Sequence, residues 1–186
     1  MNYLQGKNVT CCMSMLGFAY IIVHILGCAQ LQTKEFVFSP SHKKYTFAMP
    51  EKGWEQIKTD KEDIALWHKQ HHAMIALISS NVENKGVPLE TLNNRLFIGI
   101  KEKERILNEN SMVDNQSAIH TILLGEIDNC KLKITSYVVK AGDSVYDLLY
   151  WAPPDSFDYA KGDFDKMINS FKFTFTEEPP RKKNTE

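Results

Sequence analysis

Three histidines fall within five positions: His68, His71 and His72. Imidazole is the commonest transition-metal ligand, so this cluster is the most direct hint of chemistry, a zinc or copper site. Such a site wants a further donor from elsewhere, and beyond the apolar N-terminal run only His42 and His120 could supply an imidazole. No His-Glu-x-x-His pattern is present, and the three lie where a hairpin would turn and splay them outward. The reading is therefore a solvated turn with no metal and no cofactor, with His68, His71 and His72 the residues to watch. Asp155, Asp158, Asp163 and Asp165 are dense carboxylates. A calcium loop needs alternating ligands, a glycine and a distant glutamate. The order DSFDYAKGDFD does not provide them, and a helix cap with a solvated helix face is expected instead. Cys130 stands apart from the other cysteines, and a lone cysteine in a globular body reads as a small buried hydrophobe. No Gly-x-Ser-x-Gly elbow, Gly-x-Gly-x-x-Gly turn or phosphate-cradling Gly-Lys-Ser/Thr loop occurs. The expectation is a protein that is not an enzyme.

Cys28 carries a different kind of chemistry. Residues 11–27, CCMSMLGFAYIIVHILG, are almost wholly apolar, follow a short polar start with one cation, Lys7, and give way at once to AQLQTKEF. A basic start, an apolar run and small residues at its end form an export signal. The end of this run, Ile25-Leu26-Gly27-Cys28, resembles the lipobox of bacterial lipoproteins. Gly27 and Cys28 fit that pattern, while Ile25 and Leu26 stand where Leu and a small residue are commoner. The resemblance implies cleavage before Cys28 and acylation of Cys28 by two or three chains of the palmitate kind, enough for stable anchoring. It places the protein in a bacterial cell envelope, with the domain facing the periplasm or the exterior. The alternative is an ordinary cleaved signal or an uncleaved anchor. Removal of residues 1–27 would leave no second free thiol to pair with Cys130, so no disulfide scaffold is expected.

Composition narrows the partners. Lys plus Arg is 22 against 23 Asp plus Glu, a net charge of −1. A nucleic-acid-binding domain usually carries a basic excess, so no nucleic acid is expected. Hydrophobic residues make up 43% and charged residues 24%, which excludes disordered, collagenous and multi-spanning membrane classes.

The elements follow from periodicity. Tyr45, Phe47 and Met49 alternate in a strand that Pro50 ends, and residues 50–54 form a turn that returns Trp54 to the core. A hairpin joins 64–68 to 73–80. Residues 88–104 predict a helix, with Leu89, Leu92, Leu96 and Ile100 on one face and Glu90, Asn93, Asn94 and Arg95 on the other. Residues 105–113 predict an edge strand, and 118–126, 131–140 and 144–151 an antiparallel meander joined by short turns. Pro153-Pro154 breaks the sheet. Asp155 or Ser156 then caps a last helix whose stripe is Tyr159, Phe164, Met167, Ile168 and Phe171. Phe171 and Trp151 are expected to be buried beneath that helix. Trp67, Tyr137, Tyr146, Tyr150 and Trp151 are read as sheet core. Phe171, Phe173 and Phe175 alternate in a short extended segment.

This order of elements resembles the PsbP-like family. The matching residues are Phe47-Ala48-Met49-Pro50 with Trp54, then Gly142-Asp143-Ser144-Val145-Tyr146-Asp147-Leu148, then Phe157 and Ile168-Asn169-Ser170-Phe171. The resemblance implies an α+β fold, an antiparallel sheet flanked by helices in an α/β/α sandwich, and no shared catalytic residues. The resulting organisation is a signal peptide over 1–27, a tether over 28–43, a PsbP-like domain over 44–176 and a disordered tail over 177–186. The functional expectation is a lipid-anchored envelope protein with a non-enzymatic binding or accessory domain. Its partners would be the membrane, through acylated Cys28, and an unidentified envelope protein. The alternative is a carrier of a small ligand or metal.

Overall fold

The alternating runs pair in the order their short turns dictate. The computed structural model of the chain describes residues 37–38, 44–59, 63–81 and 86–174; Cys28, His42, Phe175 and residues 177–186 lie outside them. The strands are β1 (Val37–Phe38), β2 (Tyr45–Ala48), β3 (Trp54–Ile57), β4 (Ile64–His68), β5 (Ala73–Asn81), β6 (Lys101–Val113), β7 (Gln116–Ile127), β8 (Cys130–Ala141), β9 (Ser144–Ala152) and β10 (Lys172–Phe173). Helix α1 spans Leu89–Leu96 and helix α2 spans Phe157–Ser170. A seven-stranded antiparallel sheet runs β3-β4-β5-β9-β8-β7-β6, and a small sheet runs β1-β2-β10.

The meander is fixed by two-residue turns. Asp114-Asn115 and Asp128-Asn129 all take positive φ, between 45° and 62°. Turns with both central residues in that region match the right-handed twist of the flanking strands, and Asp and Asn tolerate it best after glycine. The Asp114 carboxylate also accepts hydrogen bonds from Lys172 Nζ (2.7 Å) and the Phe173 amide (2.8 Å). The lysine bond above all holds that carboxyl below the usual range.

The two faces of the large sheet differ. On one, Ile75, Leu77, Tyr146, Leu148, Tyr150 and Val139 meet the stripe of α2, formed by Phe157, Ala160, Phe164, Met167 and Ile168. Phe164 stacks on Tyr150 at 5.8 Å, and Phe171 stacks on Tyr45 and Phe47 at 5.3 and 6.0 Å. The Tyr150 hydroxyl donates to the Phe157 carbonyl at 2.6 Å. A helix presenting one apolar stripe must bury it against a sheet, and this face holds the main core. Phe171 is buried there as expected. Tyr159 is not part of the stripe: it is 75% exposed.

The opposite face carries α1 over β7 and β8, with a small cluster of Phe97, Leu123 and Ile134. Trp151 packs half-buried against this cluster rather than beneath α2. Adjacent strand residues point to opposite faces, so Tyr150 and Trp151 cannot share one. The helix expected over 88–104 stops at Leu96, and Gly99, at φ +93°, precedes a long strand that begins at Lys101. Asn93, expected on the solvent face, is fully buried: its Nδ2 donates to Asn108 Oδ1 at 3.1 Å, and the Thr121 hydroxyl lies 3.1 Å from its Oδ1 and 2.9 Å from Asn108 Oδ1. Residues 54–57 form an edge strand rather than the end of a turn, and Val37–Phe38, within the stretch read as a tether, pairs with β2. Ser156 stands at the N-cap of α2 without a capping bond; its hydroxyl donates to the His71 carbonyl at 2.8 Å.

Candidate functional site

The histidine cluster is a solvated turn only in part. His68 ends β4 and is only 8% exposed, while His71 and His72 lie in the turn that follows. The His68 and His71 rings pack at 4.6 Å and 32°, His71 stacks on Tyr159 at 5.4 Å, and Trp54 meets His68 edge-on at 5.1 Å. Trp54 Nε1 donates to Asp163 Oδ2 at 3.1 Å, which fixes the indole. Gly53, at φ +87°, brings backbone so close to His68 that a Cβ there would overlap the imidazole. His72, at φ 49°, turns away and packs against Trp67 at 5.8 Å on the other face. The turn that follows β4 thus divides the trio, and the two that remain together meet ring against ring. Among the described residues no group of three or more His, Cys, Asp or Glu is placed to hold a metal ion. The buried Nδ1 of His68 has no hydrogen-bond partner among the described residues.

The aspartates of α2 do not converge either. Asp165 pairs with Lys161 at 2.6 Å, Asp163 with Lys166 at 3.5 Å, and Asp158 with Lys133 at 3.7 Å. Cys130 is exposed at the start of β8, not buried as expected, because it follows directly on the Asp128-Asn129 turn.

One constellation escaped sequence reasoning. His120 on β7 lies with Nδ1 3.3 Å from Glu109 Oε1 on β6 and Nε2 3.0 Å from Thr135 Oγ1 on β8. It stacks on Tyr137 at 4.3 Å and 3°. Carboxylate, imidazole and hydroxyl in series is the order of a nucleophile-activating relay. The Thr135 hydroxyl, however, sits on a residue 1% exposed in the middle of the sheet, where no substrate carbonyl can meet it. Its only signal in sequence is strand register, since three residues from three strands are joined by pairing alone.

The α1 face holds a half-open apolar groove of about 350 Å³, between the loop that ends α1 and strands β8 and β9. Phe97, Ile98, Ile100, Ile134, Leu149 and Trp151 line most of it. Two residues along β9 on the same face is Asp147, whose carboxyl has no hydrogen-bonding partner among the described residues and which burial pushes up to about 6. A second, polar cavity of about 410 Å³ lies on the other side of Phe97, lined by Asn94, Lys103, Arg105 and Leu123.

An antiparallel sheet with one helix on each face and a last strand that returns beside β2 defines the class. The chain has the PsbP-like α+β fold. Solved structures share it. The cyanobacterial PsbP protein of Synechocystis is 16% identical, with 80% of this chain and 99% of that one covered at a TM-score of 0.55. LpqN of Mycobacterium tuberculosis, described as involved in cell envelope biogenesis, is 10% identical over 76% and 94% of the two chains, with a TM-score of 0.61. A protein from Bacteroides thetaiotaomicron is 9% identical over 76% and 49%, with a TM-score of 0.55. No protein-family model and no curated protein matches the chain. No helix among the described residues is long and apolar enough to cross a membrane.

Proposed function

We propose that this chain is a lipid-anchored protein of the bacterial cell envelope whose PsbP-like domain binds or assists other envelope components without catalysing a reaction. The observation that carries the reading is the apolar run 11–27 closing on Ile25-Leu26-Gly27-Cys28, directly ahead of polar sequence. Acylation of Cys28 would hold the domain at the membrane surface, since two buried acyl chains suffice for stable attachment. The fold supports the accessory role, because the Thr135 hydroxyl that ends the relay-like Glu109-His120-Thr135 series is buried within the sheet. The envelope role of the mycobacterial neighbour is in keeping with the location.

Mass spectrometry of the N-terminus of the full chain, expressed in a bacterium that processes lipoproteins, tests this. The expected product begins at Cys28 and carries a diacylglyceryl group. Cys28→Ser should leave an unacylated precursor. An unmodified Cys28, or cleavage elsewhere, overturns the anchoring. Crosslinking in membranes then identifies what the domain touches.

A further inference from the structure

Two cavities of opposite character meet at one side chain. Phe97 lines both the apolar groove and the basic cavity. Strand register places their far walls on one line. Arg105 pairs with Leu123, Leu123 with Ile134, and Ile134 with Trp151, so a single row crosses four strands from a guanidinium to an indole. Three strand spacings separate its ends, roughly 14 Å. The Lys103 ammonium donates to the Phe97 carbonyl at 3.1 Å, and Arg105 Nη2 donates to Asn94 Oδ1 at 3.0 Å. Each bond uses one donor of a group that has three or five, so both cations keep free N–H groups. Gly99, in the loop above, has open space where a Cβ would stand.

The groove asks for a wholly apolar occupant. None of its lining residues carries a charged or hydrogen-bonding side chain apart from the Trp151 indole, and Ile98 at its rim is 77% exposed. Its volume falls within the about 300–1,000 Å³ usual for small-molecule clefts. A hydrocarbon chain satisfies that lining, and the neighbouring cations select the charge of whatever ends the chain. We propose that this face binds a single-chain anionic amphiphile of the fatty-acid class, its alkyl chain in the groove beside Trp151 and its carboxylate toward Lys103 and Arg105. Nothing in this assignment depends on acylation of Cys28.

Four isoleucines of the groove, Ile98, Ile100, Ile127 and Ile134, report on it directly, while Ile64 and Ile75 lie in the core on the opposite face. The test uses the full chain in phosphatidylcholine nanodiscs, its isoleucine δ1 methyls carbon-13 labelled. Octanoate, octanol and octylammonium are titrated against it, with free ligand measured against empty nanodiscs. Octanoate should shift the four groove methyls and leave Ile64 and Ile75 in place. It should bind about fivefold tighter than octylammonium, the size of an exposed charge pair. Affinity should rise about fourfold per added methylene from octanoate to decanoate. The double variant Lys103→Gln, Arg105→Gln should erase the preference for octanoate while octanol still moves the groove methyls, which shows the groove intact. Octylammonium binding as well as octanoate, groove methyls that do not move, or equal shifts at Ile64 and Ile75 would each overturn the proposal.

Discussion

The two faces of the large sheet teach different lessons about what this fold is for. On the α2 face, a fourteen-residue helix lays five buried side chains on aromatic strands, and the strand before β3 adds Tyr45 and Phe47 beneath Phe171. On the α1 face, an eight-residue helix buries a single residue fully, and that residue is an asparagine. Dense apolar burial is where stability comes from. The thinner face keeps half-buried apolar surface, a desolvated carboxylate and a groove within reach of solvent. Dense core and open apolar groove are thus separated across one sheet, and substitutions can test how complete that separation is.

The largest effect should come from the α2 face. Phe171→Ala should cost about 3–5 kcal/mol, the usual loss for truncating a fully buried aromatic, whereas Leu149→Ala in the groove should cost about 1 kcal/mol, because a partly exposed site loses less burial. Urea unfolding of both variants gives the two numbers, and equal losses would erase the contrast. Next comes the polar stitch beneath α1. Asn93→Ala leaves the Thr121 hydroxyl and the Asn108 side chain short of a partner, and should cost about 1–3 kcal/mol. A loss near zero would mean that α1 is held by its leucines alone.

A smaller effect of opposite sign is expected at Asp147. Its folded-state value, about 6, lies above the ordinary 3.8. Between those values the folded chain keeps a proton that the unfolded chain has released, so stability should rise as pH falls from about 6 toward 4. Above pH 6 the domain bears the cost of a desolvated carboxylate. Asp147→Asn should therefore raise stability at pH 7 by about 1–2 kcal/mol and flatten the profile between pH 4 and 6. Unfolding curves at pH 4.5 and 7 check both statements. The smallest effect should be at His72, exposed and turned away from its neighbours in the sequence cluster. His72→Gln should change stability by less than about 0.5 kcal/mol, and thermal denaturation that drops by several degrees would show that its contact with Trp67 matters.

How much of this was legible depends on which physical signal each element carries. The meander was readable because its runs alternate and its turns are Asp-Asn or contain Gly142, residues suited to positive φ. The end of α1 was not, because Ile100 continues the helical period and Lys101-Glu102-Lys103-Glu104 suits a solvated helix face as well as an exposed strand edge. Pairing with β7 decided between them. For Trp151, strand period says that it opposes Tyr150 but not which side α2 will cover. Asn93 sits at a polar position of the helical pattern, and its burial follows only from Thr121 and Asn108 rising to meet it. The histidine spacing suggests one cluster, yet the boundary between β4 and its turn splits the three between faces. The Glu109-His120-Thr135 series is assembled by strand register alone, which no single stretch of sequence displays. The Cys28 signal is the reverse case: it is visible only in the order of residues.

Strand β6 carries a consequence for how this protein behaves when copies crowd together. It is the last strand of the large sheet, and its outer row of amides and carbonyls meets no further strand among the described residues. Register shifts near Glu104 and Arg105, with Glu102 at φ 46°, distort its first half, and Lys101 to Arg105 place five charges there. Such irregularity and charge are what keep edge strands from templating one another. The second half, Leu107 to Val113, runs in unbroken register and carries a single charge, Glu109, already turned toward His120. A foreign strand would find seven ordered residues there, and a lysine introduced at the exposed Met112 would guard them, slowing self-association during concentration without touching either core.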